Sequence, residues 1–190
     1  MEKRAFIAVD VQNTFIEGGE LGVSGGSRVA HDIAEYLKDH KDEYDLIISS
    51  QDWHIDPHEH FSDNPDFVDT WPAHGVANTF GAQLHHELED FPFDVQIKKG
   101  MYEAAYSAFE GVDKDGQSLS DVLHSAGISS LDVSGLALSH CVLQTALDAK
   151  QEGFEVNVIR DLSEPTSEEL GIKAEEALKD AQINLVYSQK

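Results

Sequence analysis

The chain has 190 residues, 41% of them hydrophobic, and its 36 acidic against 13 basic residues give a formal charge of −23. That length builds one domain with a sizeable core, while so acidic a surface excludes nucleic acid and anionic membranes as partners, because both demand basic surface. No apolar run approaches the roughly 20 residues that span a bilayer, and a single cysteine, Cys141, excludes an intramolecular disulfide.

The opening stretch Met1-Glu-Lys-Arg-Ala-Phe-Ile-Ala-Val-Asp10 is too short for a signal peptide and lacks a cleavage site. A cytoplasmic protein is expected, and an unpaired thiol suits a reducing compartment. Ala5 to Val9 reads as a first strand that ends in Asp10. Val29, Ile33, Tyr36 and Leu37 then recur at helix spacing. A second strand over Asp45 to Ser49 leads to Gln51-Asp52-Trp53-His54. From Trp53 to His74 the rhythm breaks, with Pro57, Pro65 and Pro72 in a stretch rich in Asp and His. A loop of that length in a compact domain is usually functional or disordered, and its histidines and aromatics favour function. Val95 to Ile97 reads as a third strand running into Lys98-Lys99-Gly100, followed by a helix marked by Leu119, Val122 and Leu123. A fourth strand, Leu131 to Val133, enters a turn, and Cys141 opens a helix that continues through Val142, Ala146 and Ala149. Val156 to Ile159, a helix on Leu170, Ala174, Ala177 and Leu178, and a sixth strand over Ile183 to Tyr187 complete the series.

Apolar strands alternating with amphipathic helices predict a three-layer α/β/α sandwich around a mostly parallel six-stranded sheet, with residues 1–190 as a single domain. In such sheets a site forms at the carboxyl ends of the strands. Asp10, the Asp52 and His54 pair, Lys99 and Cys141 all fall there. A thiol at a helix N-terminus is expected to have a lowered pKa and to favour the thiolate, against the plain alternative of a small buried hydrophobe. Asp10 is placed as its general base, and Lys99 as a cation that keeps Asp10 ionised and favours the thiolate. Lys98 is the alternative amine, although the turn at Gly100 favours Lys99. Asp52, His54, His60 and His74 form a second constellation. Asp-x-His puts two donors on one side of an extended chain, and a carboxylate with imidazoles suits zinc, iron or manganese. His58 competes with His60 on spacing alone.

These segments resemble the nicotinamidases, also called pyrazinamidases, of the isochorismatase-like cysteine hydrolases, a Rossmann-like group. The resemblance rests on Val9-Asp-Val-Gln-Asn-Thr-Phe15, Glu17-Gly-Gly-Glu-Leu21, Asp52-Trp-His-Ile-Asp-Pro-His-Glu-His60-Phe61, Trp71-Pro-Ala-His74, the run from Lys99 to Gly111, and Ser139-His-Cys141-Val. It implies a catalytic triad of Asp10, Lys99 and Cys141 and a metal set of Asp52, His54, His60 and His74. It also implies a ring pocket of Phe15, Trp71 and Tyr106, a cis peptide between Leu136 and Ala137, and an oxyanion hole from the N–H groups of Ala137 and Cys141. The implied activity is hydrolysis of nicotinamide to nicotinate and ammonia through a thioester, with pyrazinamide as a second substrate. One divalent ion per chain is implied, zinc first, with iron or manganese as alternatives, and homo-oligomers are left open. The sequence departs from the common pattern at Thr14, Gly75 and Ser139, which bears on pocket shape. The −23 charge raises the further expectation of a protein adapted to salt or acid, beside the plain reading of a well-solvated surface.

Overall fold

A computed structural model describes residues 2–188. Its centre is a six-stranded, wholly parallel sheet made of β1 (Lys3–Val9), β2 (Leu46–Asp52), β3 (Val95–Lys99), β4 (Ile128–Leu136), β5 (Glu155–Glu164) and β6 (Asn184–Val186). The strand order is β3-β2-β1-β4-β5-β6. The order reverses between β1 and β4, and ligands of open parallel sheets bind outside the carboxyl ends of the strands at such a switch point. Val9 of β1 lies in register with Ser50 of β2 and Gly135 of β4, and Asp52 of β2 with Lys99 of β3. The carboxyl ends of the four central and left-hand strands are thereby level. Gly135 is required there: it sits at φ +120°, and a Cβ on it would lie 2.1 Å from Val9 O.

Alternate side chains of each strand enter opposite layers, as the period of two demands. Ala5, Ile7 and Val9 face a core closed by α3 (Leu119–Ala126), α4 (Leu143–Gln151) and α5 (Glu168–Asp180). Phe6 and Ala8 face the other, closed by α1 (Gly26–His40) through Val29, Ile33 and Leu37 and by the four-residue α2 (His86–Glu89) through Leu88. Glu17 caps α1: its carboxylate accepts from the N–H of Gly25 at 2.6 Å and of Ser27 at 2.9 Å. Hydrogen bonds from Ser27 hold that carboxyl down to about 2. The cap fixes the turn carrying Glu20 to Val23, which borders the cavity described below.

Two expectations need correction. The first five strands are longer than their apolar runs, while the sixth is shorter, Asn184–Val186 within the expected Ile183 to Tyr187, and they are not uniformly apolar: β4 buries Ser130, Asp132 and Ser134, and β2 buries Ser49 and Ser50. Asp132 is tolerated because Arg4, Tyr44 and Asn157 all donate to it, at 2.6, 2.7 and 2.8 Å. Cys141 also does not open α4. It lies in a π-helical turn, Leu138–Val142, that precedes the helix. Among the described residues no helix is long and apolar enough to cross a membrane.

Candidate active site

Four side chains meet at the carboxyl edge of the sheet. Lys99, 1% exposed, is the hub. Its Nζ lies 2.9 Å from Asp10 Oδ2, pairs with Asp52 Oδ1, and stands 3.8 Å from Cys141 Sγ. Asp10, fully buried just past β1, also accepts from Ser50 Oγ at 2.7 Å. Lys98, the alternative amine, instead lies over the Trp53 ring, 3.4 Å from its centroid.

The buried charges set each other. Burial opposes the charge on Lys99, but Asp10, Asp52 and the nearby Cys141 hold its ammonium well above the usual lysine range. Burial likewise opposes the charge on Asp52, yet Lys99 above all, with the His54 and His74 rings beside it, keeps it well below the ordinary carboxylate range. Asp10 moves the other way: burial raises it, with Asp52 adding to the rise and Lys99 offsetting part. Burial also pushes the Cys141 thiol well above its ordinary value against the pull of Lys99, and Asp10 and Asp52 push it further. This corrects the expectation of a resting thiolate. Removing the thiol from water outweighs a helix terminus worth about 0.3–1 kcal/mol. The resting pair is a protonated thiol beside a carboxylate of raised basicity.

The second constellation comes together because the long loop folds back on itself. His54 pairs with Val76, and Phe61 with Trp71, as short bridges. His54, His60 and His74 are all buried, with one ring nitrogen of each within 4.8 Å of the others. Asp52 Oδ2 lies 3.6 Å from Nε2 of both His54 and His74. The other nitrogen of each ring is committed: His54 Nδ1 to Gly100 O at 2.6 Å and His74 Nδ1 to Pro72 O at 2.7 Å. Donation to a carbonyl fixes the tautomer with a free Nε2 lone pair, which is how metal-ligating histidines are oriented. His54 Nε2 and His60 Nδ1 are buried without a hydrogen-bond partner. Burial and the neighbouring histidines bring His60 down to about 4, so it is neutral near pH 7. Orphaned imidazoles facing a carboxylate fit a divalent ion. His58 is 70% exposed at its side chain and paired with Asp56, outside the cluster. The structure accounts for Gly100 as well: at φ +71°, a Cβ there would lie 2.6 Å from His54 Cε1. Gln12 fixes Asp52 from behind, its carboxamide accepting from Asp52 N and donating to Asp52 O, both at 2.9 Å.

Both constellations open into one cavity of about 340 Å³ lined by Asp52, His60, His74 and Cys141. Phe15, Trp71 and Tyr106 form its apolar walls. Trp71 Nε1 donates to Tyr106 Oη at 3.0 Å, and Phe15 packs on His74 at 5.9 Å between centroids. Ala137 lines the cavity beside Cys141, and the Leu136–Ala137 peptide is cis. The walls also include residues that the sequence reading does not single out, His140 and Thr166 among them. His140 packs edge-on to Trp71 at 5.7 Å, and Thr166 donates its N–H to Ser139 Oγ at 3.1 Å. Thr166 follows the carboxyl end of β5, so the rule that singled out Asp10 applies to it too.

Comparison with known proteins agrees with this geometry. The isochorismatase domain model matches residues 4–185. The nicotinamidase/pyrazinamidase of Mycobacterium tuberculosis is 43% identical over 185 residues, covering 97% of this chain and 99% of that one. Among solved structures, the pyrazinamidase of Pyrococcus horikoshii in complex with zinc superposes with a TM-score of 0.84 at 34% identity, covering 97% of this chain and 99% of that one. PnC1 from L. infantum in complex with nicotinate gives a TM-score of 0.84 at 33% identity, covering 98% and 93%.

Proposed function

This chain belongs to the isochorismatase family, and we propose that within it the protein is a nicotinamidase, hydrolysing nicotinamide to nicotinate and ammonia through a thioester on Cys141. The observation that carries this reading is Lys99, which spans Asp10, Asp52 and Cys141 at the base of an aromatic-walled cavity. It joins a nucleophile with its base to a ligand set suited to a ring nitrogen.

The pyridine ring sits between Phe15, Trp71 and Tyr106 with its carboxamide carbon toward Cys141. As Sγ attacks that carbon, the thiol proton moves to Asp10, whose raised basicity suits it to accept. The carbonyl oxygen becomes an oxyanion held by the N–H groups of Ala137 and Cys141, donors worth about 3–4 kcal/mol each in such sites. Asp10 then returns the proton to the amide nitrogen, the C–N bond breaks, and ammonia leaves. Water adds to the thioester while giving a proton to Asp10, and collapse releases nicotinate and restores the thiol. Lys99 stays protonated throughout and keeps both carboxylates in place. A divalent ion on Asp52, His54, His60 and His74, zinc in our reading with iron or manganese as alternatives, supplies an electrophilic anchor for the ring nitrogen or for water. Pyrazinamide presents the same carboxamide on a similar ring and is expected to react. We also take the chain as one catalytic domain working in the cytoplasm, where a free thiol stays reduced.

The test is ammonia release from nicotinamide by purified protein, before and after chelation and re-addition of zinc, iron or manganese. Turnover should vanish with chelation and return with metal, and Cys141→Ala should abolish it while keeping bound metal. Full turnover by Cys141→Ala would end this mechanism; activity confined to another amide would move the substrate and keep the chemistry.

A further inference from the structure

A second group of imidazoles lies outside the cavity, where α2 meets α1. His85 closes the segment returning from the long loop, and its N–H donates to Val11 O at 2.9 Å. It is 5% exposed, whereas His86 and Glu87 are the first two residues of α2, His86 exposed and Glu87 half-buried. One donor atom from each of His85, His86 and Glu87 lies within 4.8 Å of the other two, and the two rings stand 4.2 Å apart. From α1, His31 Nδ1 meets Glu87 Oε2 at 2.8 Å.

We propose that His85, His86 and Glu87 form a second divalent-metal site, for zinc or a comparable borderline ion such as copper(II) or nickel(II), with His31 orienting the Glu87 carboxylate. Two imidazoles and one carboxylate are the donors such ions select, with remaining positions open to water. A tetrahedral ion with bonds of about 2.1 Å spaces its donors about 3.4 Å apart, so closure needs shifts of roughly 1 Å. The exposed side chain of His86 supplies most of this by rotation, with the backbone fixed and Glu87 held by His31. The Glu87 N–H donates to His85 Nδ1 at 3.4 Å, a long cap on α2 that a metal on that nitrogen would replace. His31 supplies the outer hydrogen bond that orients ligating carboxylates. Of the cations on the same helix, Lys38 is engaged by Glu35 and Arg28 by Asp32 and Glu164. A bound ion ties α1 to α2 at the surface. It shares no donor with the His54, His60 and His74 cluster, and the proposal does not depend on the substrate.

The experiment is zinc titration of chelator-stripped protein by calorimetry, with metal counted after gel filtration in micromolar zinc. Wild type should hold two ions per chain. His86→Ala with Glu87→Ala should hold one and keep its turnover, and His54→Ala should also hold one. His86→Gln, which removes the donor and conserves bulk, should weaken the second ion at least tenfold, and circular dichroism checks that each variant is folded. One ion per chain in wild type, or a second ion that survives loss of His86 and Glu87, overturns the proposal.

Discussion

Replacing Lys99 by Met removes the buried cation and keeps most of its volume. Two buried carboxylates then face each other without compensation. At an effective dielectric constant of about 20, a unit-charge pair at the 2.9 Å separation of Lys99 Nζ and Asp10 Oδ2 is worth roughly 6 kcal/mol before desolvation. Breaking one partner out of a buried pair typically costs about 3–5 kcal/mol. The metal-free variant should therefore lose about 4 kcal/mol at pH 7, a large part of the roughly 5–15 kcal/mol that holds a domain together. The loss should also depend on pH. Lys99 titrates far above neutrality and contributes a constant below its unfolded value, so it adds no slope between pH 4 and 8. Asp52, held low in wild type, keeps its contribution until pH falls below its unfolded value near 4. In the variant Asp52 also rises above its unfolded value and Asp10, already raised, rises further, because the group lowering them is gone. A raised carboxyl favours the fold below the unfolded pKa and loses that contribution as pH climbs through the folded one. The gap between wild type and variant should thus narrow steadily from pH 8 to pH 4. Urea unfolding at four pH values measures it. A gap under 1 kcal/mol at pH 7, or one that does not change with pH, refutes Lys99 as the counter-charge of both acids.

Asp10→Asn keeps the shape and removes the proton acceptor, so initial rates of ammonia release should fall about 10²–10⁴-fold; an unchanged rate would move the base elsewhere. Alkylation of Cys141 by iodoacetamide in the substrate-free enzyme should be slow at pH 7 and still rising above pH 9, because burial and the two carboxylates hold the thiol up. A rate that levels off below pH 8 would mean a resting thiolate. Gly100→Ala places a Cβ 2.6 Å from His54 Cε1 at φ +71°. The backbone strain costs about 1–3 kcal/mol. The displaced ring should lower zinc affinity about 10–100-fold, read by competition with a chelator; wild-type affinity would show that His54 is not a ligand.

The parts of the site legible in the sequence are those fixed by one strand end each. Asp10, Asp52, Lys99 and Cys141 follow apolar runs, and parallel strands bring such ends level. The helical repeat of Val29, Ile33 and Leu37 marks α1 for the same local reason. What depends on distant partners was not legible. The full length of β4 rests on Asp132, whose partners Arg4 and Tyr44 lie 128 and 88 residues away. α2, four residues long, has no room for a helical repeat. The choice of His60 over His58 is made by the Phe61–Trp71 bridge, which no spacing rule contains. In the sequence reading Lys99 belongs to Asp10 and to the Cys141 thiol, but not to Asp52. Its pairing with Asp52, which joins catalysis to the ligand set, arises only from the register of β2 on β3.

That pairing explains why the resting thiol is protonated. In the metal-free site, with Asp10 and Asp52 ionised, Lys99 charged and Cys141 neutral, the buried cluster carries one negative charge in excess. A resting thiolate would add a second inside a site removed from water, which Lys99 alone does not balance. Attack by the thiol avoids the problem. As the proton passes to Asp10, the negative charge leaves that carboxylate and reappears on the substrate oxygen, beside the N–H groups of Ala137 and Cys141. The charge inside the cavity stays constant and only its position changes, from a group held by Lys99 to one held by backbone donors. The barrier then depends on how well those donors match the base they relieve, and not on the cost of making an anion in a buried place.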